Sequence, residues 1–120
     1  MLAHEFTHAL VRGLASRGVP TWLNEGLASA LEADDLKWAE RLSRSGGAVR
    51  LRDLQNGFGQ LTDANAQLAY ATSAIAVRRL IEEAGGFAIA NLLRDLGDGL
   101  DFETAFLHRF QRTFADFSGQ

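Results

Sequence analysis

The sequence predicts an all-α domain. Three observations carry that expectation: apolar residues recur at helical spacing, no stretch sustains the alternation of a strand, and glycine clusters punctuate a chain that holds a single proline. The first helix carries Leu2, Phe6, Ala9, Leu10 and Leu14 on one side and stops near Arg17-Gly18, ahead of Pro20. Thr21 is placed to cap a second helix, with Trp22, Leu23, Leu27 and Leu31 as its apolar face. Asp34 to Ser43 either continues that helix or forms a short one, with Leu36, Ala39 and Leu42 apolar. Gly46-Gly47 and Asn56-Gly57-Phe58-Gly59 bracket an irregular connection containing a short helix near residues 49–54. A long helix then runs from about Asp63 to Ala84 and ends at Gly85-Gly86. Residues 87–96 form another, closed by Gly97-Asp98-Gly99. Asp101 caps the next, striped by Phe102, Ala105, Phe106 and Phe110, and Phe114-Ala115-Asp116-Phe117 starts one more turn.

At 120 residues the chain makes one domain with room for a core, and 47% apolar against 22% charged residues is a globular balance. A net charge of −3 leaves no basic surplus, so nucleic acid is not an expected partner. No apolar run reaches the roughly 20 residues of a membrane span. The chain has no cysteine, which removes disulfides and thiolate metal sites and leaves the compartment open.

The chemistry starts at Leu2-Ala3-His4-Glu5-Phe6-Thr7-His8. Residues four apart on a helix project side by side, so His4 and His8 can present two imidazole nitrogens to one zinc ion. Glu5 lies on the adjoining strip, suited to a water beside the metal, and could take its proton during attack on a carbonyl. The same five residues also suit a surface pair of Glu5 with His8 and an exposed His4. A catalytic zinc needs a third protein ligand, and Glu25 is the candidate. It falls near the start of the second helix, in what reads as the first turn, where the helix dipole favours a carboxylate. To meet the histidines it must lean back toward the first helix, which a crossing angle would allow.

His4-Glu5-x-x-His8, sixteen intervening residues, then Trp22-Leu23-Asn24-Glu25-Gly26-Leu27-Ala28-Ser29 resembles the gluzincin metallopeptidases, most of all their aminopeptidase-like and peptidase MA-like branches. The resemblance implies a zinc (Zn2+) peptidase acting on a peptide or protein substrate, with His4, His8 and Glu25 as metal ligands and Glu5 as general base. Four residues after the ligand glutamate, thermolysin-type members keep an aspartate that supports a metal-bound histidine; Ser29 stands there, which favours the aminopeptidase-like branch, with Glu32 an alternative supporting group. By the same resemblance Tyr70, the only tyrosine, would stabilise the oxyanion. Tyr70 also begins an apolar stripe with Ala74, Val77, Ile81 and Ala84, so a core role is open to it.

The remaining candidates read as structural. His108 has no metal-ligand spacing around it, Trp22 suits packing at a helix start, Trp38 suggests no function, and Phe106, Phe110, Phe114 and Phe117 read as core or interface. The resemblance covers the helical C-terminal half of a zincin-like fold. The β-sheet subdomain that precedes it in that family is therefore expected to be absent, making the chain a fragment or a natural short form. Self-association through the face left by that sheet is a further expectation. The reading from a different class is a zinc-stabilised helical interaction module with little or no activity in isolation.

Overall fold

The structure is a computed structural model; the described residues are 2–15, 17–32, 35–44, 49–55, 57–59 and 61–119, with the backbone alone for 2–6. Seven α-helices are defined among them, and no strand: α1 Leu2–Leu14, α2 Thr21–Glu32, α3 Lys37–Arg44, α4 Asp63–Ala84, α5 Gly86–Gly97, α6 Phe102–Phe110 and α7 Phe114–Phe117, with a 3₁₀ turn at Leu51–Leu54. None of the described helices is long and apolar enough to cross a membrane.

Local chemistry sets the ends. Thr62 and Asp101 cap α4 and α6 by accepting from the Asn65 and Thr104 backbone N–H groups at 3.3 and 3.0 Å. Gly85 ends α4 at φ 83°, a conformation that costs glycine little, while its N–H donates to the Ile81 carbonyl at 2.8 Å. Pro20, not Thr21, supplies the carbonyl that opens α2, accepting from the Leu23 and Asn24 N–H groups. Thr21 instead donates its own N–H to the Gln55 carbonyl at 2.9 Å, which anchors the irregular connection to the start of α2. Residues 37–44 form the separate short helix that the sequence left as one of two choices.

α4 is the central pillar, with α2 packed along it most extensively and α3 on a second flank. Contact between α2 and α4 is close because Gly26 has no side chain: a Cβ there would meet the Ser73 carbonyl and stand 2.7 Å from Val77 Cγ2. The end of the molecule formed by α2, α6 and α7 is aromatic. Trp22 is fully buried and stacks on Phe114 at 5.6 Å, with Phe102 edge-on at 6.1 Å. Phe106, Phe110 and Phe117 complete that core.

Two expected apolar faces differ in the structure. Among the described side chains of α1 the buried ones are Thr7 and Val11, followed by Ala15 just past its end, whereas Leu10 and Leu14 are 52% and 39% exposed. The strip with His8 meets α2, while Ala9, Leu10 and Leu14 of the predicted stripe are exposed. On α2, Leu31 is exposed because the last turn is buried through Leu27, Ala28 and Ala30. α1 also ends earlier than expected, at Leu14, whose carbonyl lies against Gly97 of α5.

Candidate metal centre

α1 crosses α2 so that His8, in the second turn of α1, faces Glu25 in the second turn of α2. Because α2 begins at Thr21, Glu25 is its fifth residue and lies beyond the first turn. The helix-end field that the sequence suggested for this carboxylate is therefore weak, since that effect fades within one turn. Position comes from packing instead. Leu23 and Leu27 are buried beneath the helix, Gly26 rests on α4, and Glu25 is left on the side toward α1.

His8 Nε2 stands 3.4 Å from Glu25 Oε1, with the two side chains 14% and 23% exposed. The other ring nitrogen, Nδ1, lies 2.8 Å from Asn24 Oδ1. With the Asn24 amide oxygen facing Nδ1, the tautomer that donates from Nδ1 satisfies this contact and leaves the Nε2 lone pair on the side of the carboxylate. In that tautomer an imidazole nitrogen and a carboxylate oxygen face each other with room for a shared cation. The spacing suits a metal. A nitrogen and an oxygen bound tetrahedrally to one zinc at about 2.0–2.2 Å stand roughly 3.3–3.5 Å apart. The chemistry of the pair, imidazole with carboxylate, also suits zinc.

His4 and Glu5 lie on the helical backbone of α1, but their side chains are outside the described residues. Among the described residues no group of three His, Asp or Glu side chains forms a metal cluster, so the described part of the centre is His8 with Glu25. Tyr70 projects from α4 within the electrostatic reach of Glu25 and is half-buried. Burial, and then the Glu25 carboxylate, push its phenol above the ordinary value, so at neutral pH it is a hydrogen-bond donor. Phe58 meets the Tyr70 ring edge-on at 5.0 Å and holds it from the side of the irregular connection. Tyr70 thus belongs to the neighbourhood of Glu25, while Ala74 and Val77 behind it supply the buried stripe.

Asn24 is the residue that sequence reasoning missed. The support for a metal-facing histidine was sought at Ser29 and Glu32; it is the Asn24 amide that reaches the His8 ring. The available signal was adjacency, since Asn24 directly precedes Glu25 and so shares its end of α2. His108 is exposed on α6, as expected, and Trp22 is core.

No curated protein and no solved structure matches the chain. The sequence profile of the Peptidase MA superfamily, however, matches residues 1–116, which takes in α1, with the histidine pair, through α6 and most of α7. Over that span, which the described residues fold as helices, the chain belongs to the Peptidase MA superfamily.

Proposed function

We propose that the chain carries the metal-binding and catalytic residues of a gluzincin-type zinc peptidase of the aminopeptidase-like kind, acting on peptide or protein substrates. The observation that carries this is the His8–Glu25 pair at 3.4 Å with Asn24 on the far side of the ring. In this reading His4, His8 and Glu25 hold the ion. Zinc, when bound, supplies a Lewis acid that brings the pKa of a water down to about 7 and polarises a carbonyl. The protein supplies the rest. Asn24 fixes the His8 tautomer so that Nε2 stays available as a donor of electrons. Glu5 accepts the proton of the attacking water and passes it to the leaving amine. Tyr70, kept protonated by burial and by Glu25, offers its O–H to the carbonyl oxygen as that oxygen gains charge.

The test is a pair of measurements on purified protein. Metal analysis of the full chain should find one zinc per chain, lost in His8→Ala. Glu5→Gln should keep the zinc and lower peptide turnover by about 10²–10⁴-fold, the usual worth of a general base. Zinc retained with turnover at the parent rate in Glu5→Gln would remove Glu5 from the mechanism. Zinc bound with no turnover in any form would favour the zinc-stabilised module instead.

A further inference from the structure

We propose that the face of α4 opposite Tyr70 carries a binding pocket for a small organic carboxylate with an apolar substituent. A cavity of about 220 Å³ opens between α4, the residues of the 3₁₀ turn and α7. At 100° per residue, Thr72, Ile75 and Arg79 lie about 140–200° around α4 from Tyr70, so the helix itself separates this pocket from the metal centre. The volume is below the roughly 300 Å³ where drug-sized ligands begin to fit, which limits the occupant to a small molecule.

The floor is hydrocarbon and the rim is cationic. Leu51 and Phe117 are almost fully buried and Ile75 half-buried. Arg50 and Arg79 line the opening, and no Asp or Glu is among its lining residues. Arg79 differs from the other arginines of this end of the fold. Arg109 holds Asp95, and Arg112 holds Glu83 and Asp116, whereas Arg79 has no carboxylate partner among the described residues. Its guanidinium sits 4.9 Å over the Phe117 ring. That contact restrains the side chain while its N–H donors remain available to an anion. Arg50 meets Asp53 at 3.4 Å, but both side chains are 59% exposed, so the pair is weak enough to exchange for a better acceptor. Thr72 adds a polar residue to the wall.

Both parts of the pocket must be satisfied together. Inorganic phosphate would pair with the guanidiniums and leave the apolar floor wet. A neutral hydrocarbon would cover the floor and take away the water that the guanidiniums need. A carboxylate joined to an aliphatic group satisfies both at once.

The experiment titrates N-acetylleucine into the full, zinc-loaded chain and follows backbone amide chemical shifts, so that capture of the carboxylate by the metal, which would move residues 8 and 24–25, is told apart from binding in this pocket. Saturable shifts are expected at residues 50–51, 72–79 and 117–118. Acetate, which lacks the apolar group, and N-acetylleucinamide, which lacks the charge, should each bind at least roughly tenfold more weakly. Arg79→Gln should weaken N-acetylleucine by a similar factor, and Arg50→Gln, on a separate segment, gives the same reading should the first variant fail to fold. The proposal is overturned if the amide binds as well as the acid, if inorganic phosphate binds more tightly, if both arginine variants keep full affinity, or if no probe gives a saturable shift in this region.

Discussion

Tyr70 is the chain's only tyrosine, so tyrosinate absorbance reports one phenol and nothing else. Its environment makes two demands on that phenol. Burial disfavours the charged form, and the Glu25 carboxylate adds like-charge repulsion to the same effect. The metal-free native protein should therefore titrate above the ordinary phenol value of about 10, and the urea-unfolded chain should return to it. Glu25→Gln should lower the native midpoint only part of the way, because burial is the larger cause. A native midpoint at the ordinary value would mean that Tyr70 is neither buried nor beside Glu25. Catalysis gives the independent measurement. Tyr70→Phe keeps the ring against Phe58, should keep the zinc, and should lower kcat by about 10²–10³-fold if the hydroxyl stabilises the oxyanion. Parent turnover in that variant would leave Tyr70 as packing alone.

Gly26 decides how closely α2 can approach α4. In an exposed helix, replacing glycine with alanine gains up to about 1 kcal/mol. At this position the new methyl would press on the Ser73 carbonyl, which is backbone and cannot rotate aside, and on Val77 Cγ2 at 2.7 Å. Overpacking of that kind costs about 1–3 kcal/mol, so Gly26→Ala should be less stable in urea unfolding and should displace the adjacent Glu25. Stability equal to the parent's would show that the two helices are not held at this distance. The contrast with other elements explains what the sequence could disclose. The caps at Asp101 and the glycine stop of α4 are legible because each rests on a side chain or dihedral within a few residues. The buried face of α1 is not, because the choice between Leu10-Leu14 and Thr7-Val11 is made by where α2 lies. That His8 and Glu25 could meet was an expectation of the family resemblance, and the two side chains do lie 3.4 Å apart. Asn24 was legible only through its adjacency to Glu25, since nothing else near an asparagine in the first turn of a helix marks the imidazole it will meet sixteen residues away.

The whole molecule inherits its pH response from a few such contacts. Asp95 of α5 and Arg109 of α6 form a two-pronged pair, Nε to Oδ2 at 2.6 Å and Nη2 to Oδ1 at 2.9 Å, that fastens the last helices together. The hydrogen bonds from Arg109 hold the Asp95 carboxyl below its ordinary range, against a smaller opposing effect of burial. The Thr104 backbone N–H lowers the Asp101 carboxyl in the same direction at the start of α6. For both, the unfolded chain binds protons more readily than the native one. Their stabilisation is thus complete above the ordinary carboxylate range and is lost as pH falls through the native values. Tyr70 acts with the opposite sense: its raised value means stability that is complete below the ordinary phenol range and is lost as pH rises through the native one. Unfolding free energy measured in urea should therefore form a plateau near neutrality, falling below about pH 5 on the acid side and above about pH 10 on the alkaline side. Asp95→Asn should lower the plateau by about 1–2 kcal/mol, the worth of a partly exposed charge-assisted pair, and make the acid limb shallower. An acid limb of unchanged slope in Asp95→Asn would show that the joint between α5 and α6 does not rest on this carboxylate.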